Sequence, residues 1–138
     1  VRVLAFDYGT RSMGVAVSDE LGVTAQGVKV IRHGPHWWEE IAELMEMYSP
    51  ECIVVGLPRN MDGSCGPSAE KAKGFARELE KRFHRMVVFW DERLSTVGAG
   101  RVLLEADLSR RKRKKVIDKM AAVFILEGYL ARQYNRRS

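Results

Sequence analysis

Apolar positions along this chain follow two rhythms. Val3-Leu4-Ala5-Phe6 is a continuous apolar run and predicts a buried strand over residues 2–7. Gly9 and Gly14 bracket a turn, and Val15-Ala16-Val17 carries a second strand to about Asp19. Leu21-Gly22 reads as a hairpin turn. Residues 23–31, with Val28, Lys29 and Val30 alternating, read as a third strand. The rhythm then becomes helical: Trp37, Ile41, Leu44, Met45 and Tyr48 line one face, with Glu39, Glu40, Glu43 and Glu46 opposite. Ser49-Pro50 ends that helix, because a proline disfavours helical backbone in the residue before it.

Cys52-Ile53-Val54-Val55 has the continuous apolar character of a central parallel strand. Residues 56–66 form a polar, glycine-rich loop, and Pro67 suits the first position of a helix whose face is Ala69, Ala72, Ala76, Leu79 and Phe83. Met86-Val87-Val88-Phe89-Trp90 reads as another buried strand. Ser95 is a candidate N-cap for a helix to about Ala106, and a last, largely apolar helix spans roughly residues 114–134. The order β-β-β-α-β-α-β-α-α predicts an α/β fold, a mixed sheet covered by helices, with an antiparallel section leading into parallel units.

At 138 residues and 46% apolar, the chain is read as one domain over 1–138 with a substantial core. No apolar run approaches the roughly 18 residues that span a bilayer, and no signal peptide is read at its start. Cys52 and Cys65 form no CxxC pattern, which fits a reducing cytoplasm. Cys52 reads as a small core residue and Cys65 as a loop thiol. His33, His36 and His84 show no metal-ligand spacing.

Charge is uneven. Residues 1–100 hold 12 Lys+Arg against 14 Asp+Glu, whereas residues 101–138 hold 11 against 4. The densest part is Arg110-Arg111-Lys112-Arg113-Lys114-Lys115, a block suited to phosphates and therefore to nucleic acid.

The candidate chemistry lies in three acids at element ends. Asp7 closes the first strand, Asp91-Glu92 closes the last, and Asp118 lies in the final helix on the face of Ala121, Ala122 and Ile125. A carboxylate at a buried position needs a compensating partner. In parallel sheets functional groups gather at the carboxyl ends of strands, so these acids can meet at one edge. Such a cluster suits hard divalent ions and metal-assisted phosphodiester hydrolysis. The plainer alternative is that Asp7 pairs with an arginine such as Arg11 or Arg93. Arg11, Arg59, Asn60 and Arg93 are placed to reach phosphate oxygens, and Arg suits bidentate phosphate contacts. Arg93 serves equally well as an internal ion-pair partner of the acids. The glycines of the 59–66 loop allow it to order only on substrate binding, or to be a plain structural turn.

Asp7-Tyr8-Gly9-Thr10-Arg11 with Gly14-Val15-Ala16-Val17-Ser18-Asp19 resembles the opening of the YqgF/RuvX family. Gly56-Leu57-Pro58, Asn60-Met61-Asp62-Gly63-Ser64 and Asp91-Glu92-Arg93-Leu94-Ser95-Thr96 resemble its next signatures, and Lys114-Lys115, Ile117-Asp118 and Ala121-Ala122 its final helix. The match runs in order along nearly the whole chain. The resemblance implies a ribonuclease H-like fold with a five-stranded mixed sheet whose second strand is antiparallel. It implies a nuclease using Mg²⁺ or Mn²⁺ in maturation of the 5′ end of pre-16S rRNA, with Asp7, Glu92 and Asp118 as the metal-binding catalytic triad. Glu92 is chosen over Asp91 because adjacent strand residues face opposite sides. Lys112, Arg113, Lys114 and Lys115 join Arg11, Arg59, Asn60 and Arg93 as candidate substrate contacts. Three departures stand: Gly98 and Gly100 weaken a predicted helix, Ser95 replaces a common Thr, and the fourth acid of RuvC-type enzymes has no clear counterpart unless Asp91 or Asp62 serves.

The expected protein is thus a cytoplasmic nuclease, monomer or weak homodimer, acting on structured RNA away from membranes. The alternatives are a Holliday junction resolvase on four-way DNA, which needs two active sites, and an RNA-binding factor without catalysis.

Overall fold

A computed structural model of the chain describes residues 2–9, 11–60, 62–92 and 110–137, with the side chains of the last helix described over 120–134. The elements are β1 (Val3–Tyr8), β2 (Ser12–Ser18), β3 (Ala25–Arg32), α1 (Trp37–Tyr48), β4 (Cys52–Leu57), α2 (Pro67–Phe83), β5 (Met86–Asp91) and α3 (Arg110–Arg137). The strands form one five-stranded sheet in the order β3-β2-β1-β4-β5. β2 runs antiparallel to both β1 and β3, while β1, β4 and β5 are parallel. This is the ribonuclease H-like arrangement expected, including the antiparallel second strand.

Strand alternation sends successive side chains to opposite faces. On one face Leu4, Phe6, Met13, Val15, Ile31, Ile53, Val55 and Leu57 meet α1 and α2. On the other, Val3, Ala5, Ala16, Cys52, Val54 and Trp90 meet Ala121, Ala122, Ile125, Leu126 and Leu130 of α3. Each large side chain removed from water contributes about 1.5–3 kcal/mol.

The helix ends follow local rules. α1 carries Glu39 and Glu40 in its first turn, favourable beside the positive end of the helix dipole. It closes on Ser49 in the left-handed region, φ 42°, whose N–H donates to the Met45 carbonyl, and Pro50 follows. α2 opens on Gly66-Pro67 and closes on His84, φ 54°, with Lys81 and Arg82 in the last turn. The expected helix over 95–106 lies outside the described residues, as do Gly98 and Gly100.

Four local expectations change. Gly14 lies inside β2, paired with Asp7, instead of bracketing a turn. Gly56 is part of β4 instead of opening a loop. β5 is the sheet's edge strand and only half-buried, with Met86 66% and Phe89 43% exposed. An apolar run looks the same whether one or both of its flanks are covered. Finally, α3 begins at Arg110, so the basic block is helical and not a loop preceding the helix.

Candidate active site

The carboxyl ends of β1, β4 and β5 form one edge of the sheet. Asp7 shares the parity of Val3 and Ala5, so it belongs to the α3 face. Its direct partner on β2 is Gly14, and on β4 the register Phe6↔Val55 continues one step to Gly56. Asp7 is therefore flanked on both neighbouring strands by residues without side chains.

Glu92 is the first residue after β5. Trp90 packs on the α3 face and is the register partner of Gly56, so Asp91 turns to the α1/α2 side, and the side chain of Glu92, just past the strand, comes to the side of Asp7. Its reach is visible at Gly56, where a β-carbon would stand 3.2 Å from Glu92 Oε1. The Glu92 carboxylate thus extends over β4, the strand between itself and Asp7. Backbones two strands apart are separated by roughly 9–10 Å, a gap that the bare Gly56 leaves open. Asp7 and Glu92 are both half-buried and both engaged in interactions of their own.

Asp118 is within α3, and its side chain lies outside those described. Its position follows from the helix. Ile125 sits over Gly56 at the end of β4, while the Tyr129 hydroxyl is 3.7 Å from Cys52 Sγ at the start of β4. α3 therefore runs antiparallel to β4. Asp118 is two turns before Ile125, about 10 Å along the axis toward the carboxyl edge. Its spacing of three and four from the buried Ala121 and Ala122 sets it on the same helical face.

The other candidates distribute as follows. Arg11 is exposed in the turn after β1, with its carbonyl accepting from His33 N–H at 3.0 Å. Arg59 and Asn60 are exposed at the end of β4. The loop they begin is a small closed hairpin: Arg59 bridges Cys65, and Asn60 N–H donates to the Ser64 carbonyl at 2.9 Å. Asn60 Nδ2 donates to Ser64 Oγ at 3.0 Å, while Asp62 Oδ1 accepts from Ser64 N–H at 2.9 Å and from Ser64 Oγ at 2.6 Å. Gly63, at φ 89°, makes the tight turn. This loop is held by its own hydrogen bonds, in which Asp62 Oδ1 takes part, and strand parity puts Asp91 on the face opposite Asp7. Arg93 and Ser95 lie outside the described residues. Lys112, Arg113, Lys114 and Lys115 fall in the first two turns of α3, whose first turn holds no acidic residue.

Gly14 and Gly56 are members of the site that the sequence reading missed. Their signal was present, since a glycine inside a strand marks a bulge or a close approach. Burial holds the Cys52 thiol above its usual pKa, and it is an inert core group. Trp37 and Trp38 are packing residues on the far face, Trp37 tilted against Phe75 at a ring separation of 5.5 Å and Trp38 stacked on it at 5.7 Å.

Two hard oxygen ligands of one charge sign, on a floor without side chains, fit Mg²⁺ or Mn²⁺ and not a soft metal. Among the described residues there is no group of three His, Cys, Asp or Glu that could hold a metal, and a metal held by Asp7 and Glu92 would need a further ligand, for which the Asp118 position is the nearest candidate along α3. No helix among the described residues is long and apolar enough to cross a membrane.

Fold and edge together define a ribonuclease H-like protein with acids at the carboxyl ends of its parallel strands. Superposition agrees: RuvC of Thermus thermophilus, solved with a Holliday junction substrate, matches with a TM-score of 0.56 at 14% identity over 96% of both chains. The fowlpox virus Holliday junction resolvase matches with a TM-score of 0.54 at 14% identity over 96% of this chain and 99% of its own. These likenesses are of fold. In sequence, residues 1–132 match the RuvX family model, described as Holliday junction resolvase. A relative from Desulfitobacterium hafniense (strain DSM 10664 / DCB-2), named "Putative pre-16S rRNA nuclease", is 55% identical over 94% of this chain and 92% of its own. A relative of the same name from Bacillus cereus (strain B4264) is 50% identical over 96% of this chain and all of its own length. The chain belongs to the RuvX family of nucleases.

Proposed function

We propose that this protein is a divalent-metal-dependent nuclease acting on structured RNA, and that it processes the 5′ end of pre-16S rRNA. The observation that carries the reading is the pair Asp7 and Glu92 on one sheet face with glycine between them. Asp7 and Glu92, with Asp118 from α3, are the residues that would hold Mg²⁺ or Mn²⁺. When bound, such ions activate a water and stabilise charge on the phosphate oxygens.

The rest belongs to the chain's own groups. Arg11, Arg59 and Asn60 surround the same edge and hold the substrate phosphate against it, and Arg93 either joins them or pairs with the acids. Lys112, Arg113, Lys114 and Lys115 follow the backbone further out. Cations crowded at the first turns of a helix repel one another and oppose the helix dipole. Phosphate oxygens relieve both penalties, which is why this block suits a polyanion. The protein acts in the cytoplasm, as a monomer or weak homodimer.

The test is cleavage of a pre-16S 5′ RNA and of a four-way DNA junction at matched salt, with Mn²⁺ or Mg²⁺ against chelator. Metal-dependent RNA cleavage that disappears in Asp7→Asn is expected. Junction cleavage by a dimer, with RNA left intact, supports the second reading, a Holliday junction resolvase, which the family description favours. Binding of RNA with no cleavage under any metal condition leaves a non-catalytic RNA-binding factor.

A further inference from the structure

One position on β4 ties the helix that carries Asp118 to the Glu92 carboxylate just past β5. A β-carbon on Gly56 would stand 2.5 Å from Ile125 Cδ1, 3.3 Å from Ile125 Cγ1 and 3.2 Å from Glu92 Oε1. Ile125 is fully buried, so its tip has little freedom to turn aside. The mirror of this contact lies one turn along the helix. A β-carbon on Gly128 of α3 would stand 2.7 Å from Trp90 Cζ2 and 3.2 Å from Trp90 Nε1. Trp90 is the register partner of Gly56. A side chain of the helix thus enters a gap in the sheet, and a side chain of the sheet enters a gap in the helix. Two observations show what this arrangement costs. Glycine inside a helix costs about 1 kcal/mol relative to alanine, and the buried Trp90 Nε1 has no hydrogen-bond partner among the described residues. Close packing at this point is what offsets both.

We propose that Gly56 is a positioning residue of the carboxylate site. Its bare Cα is the shared seat of Ile125 from α3 and of Glu92 at the end of β5. The depth of α3 on the sheet, and with it the Asp118 position, is set together with the reach of Glu92 toward Asp7. The Trp90–Gly128 contact fixes the same helix a turn further on. This inference rests on the metal-binding reading of Asp7, Glu92 and Asp118.

The test is Mn²⁺ affinity, measured by calorimetric titration of the full chain, alongside melting temperature and turnover. Gly56→Ala should weaken Mn²⁺ binding roughly tenfold, the range expected when a supporting residue of a metal site is removed. Ile125→Val deletes the Cδ1 atom that the new methyl group strikes. Gly56→Ala/Ile125→Val should therefore recover most of the missing affinity, and Ile125→Val alone should bind as the wild type does. Wild-type affinity in Gly56→Ala overturns the proposal. So does a double variant that regains its melting temperature but not its Mn²⁺ affinity. Should Gly56→Ala not fold, Gly128→Ala lifts the same helix from Trp90 and must weaken Mn²⁺ binding, and unchanged affinity there overturns the proposal too. Asp7→Asn separates the two levels. If it binds Mn²⁺ as the wild type does, the metal-site reading itself fails. If it loses Mn²⁺ while Gly56→Ala does not, only the shared seat fails.

Discussion

The two faces of the sheet are built from different materials. Against α1 and α2 stand bulky groups: Phe6, Met13, Ile31, Ile41, Ile53, Leu57 and Leu79 are all essentially excluded from solvent. The rings of Tyr8, Trp37, Trp38 and Phe75 add edge and stacked contacts there, Tyr8 to Phe75 at 4.9 Å. Against α3 the large groups Val54, Trp90, Ile125, Leu126 and Leu130 are interleaved with small ones: Ala5, Ala16, Gly14 and Gly56 on the sheet, Ala121 and Ala122 on the helix. Both faces bury apolar area and so stabilise the fold, but only the second thins to glycine and alanine toward the carboxyl edge. The second lets a helix approach closely and leaves room at its end for two carboxylates. In Asp7 and its neighbours the comparison is sharpest: Phe6 is fully buried on one side, while Asp7, one residue on, faces the other between two glycines.

That division predicts effects that separate cleanly. Asp7→Asn keeps the shape and removes the charge. It should lower metal-dependent turnover by about a thousandfold or more, equivalent to the several kcal/mol that bound ions supply to such a transition state. Its melting temperature should change far less than its turnover, because Asn keeps the shape and one acceptor oxygen of the side chain. A variant that cleaves at the wild-type rate would break the assignment of chemistry to this face. Phe6→Ala should do the reverse, costing about 3–5 kcal/mol of stability through poorer packing and a residual cavity. Denaturant melts measure that change, and turnover per folded molecule should be retained. If activity falls as steeply as stability, the two faces are not separable.

A smaller effect belongs to the first turns of α3. Changing Lys112, Arg113 and Lys114 together to Gln should weaken RNA binding without regard to sequence. The slope of log affinity against log salt should flatten by roughly 2 on single-stranded RNA, about 0.7 for each phosphate that is no longer neutralised. Filter binding over a salt series reads both quantities. An unchanged slope would mean that the block meets only solvent.

How much of this was legible in the sequence depended on which signal each residue carried. Alternation in β1 puts Asp7 on the face of Val3 and Ala5, and a period of two admits only one of Asp91 and Glu92 on that face; the choice of Glu92 came from the family resemblance. Proline fixed both Pro50 after α1 and Pro67 at the start of α2. The glycines were misread for the same reason that they are informative. Gly14 and Gly56 look like turn punctuation, and only the pairing of strands shows that each lies beside Asp7. The half-exposed character of β5 was hidden because Met86 to Trp90 is apolar throughout, and strand order is not a local property. The helical state of residues 110–115 was hidden because a run of cations with no acid in the first turn is an unusual way to open a helix, and it reads first as a solvated basic loop.

The smallest effect lies at the opposite edge of the sheet, in the turn between β2 and β3. Asp19 Oδ1 accepts from Val23 N–H at 2.7 Å and Thr24 N–H at 3.1 Å, and those bonds hold its carboxyl below the ordinary aspartate pKa. A depressed folded pKa stabilises the fold above the unfolded value of about 3.9, and that contribution is lost as pH falls through the folded value. Asp19→Asn keeps an acceptor oxygen but has no charge to lose. At neutral pH it should melt slightly below the wild type. In acid, where Asp19 of the wild type is protonated, the gap should close. Turnover should not change, because the turn is at the far edge from Asp7. Melting curves for both proteins at neutral pH and in acid well below the ordinary aspartate pKa decide it. A gap that persists undiminished in acid would show that the charge on Asp19 contributes nothing, and that the turn is held by geometry alone.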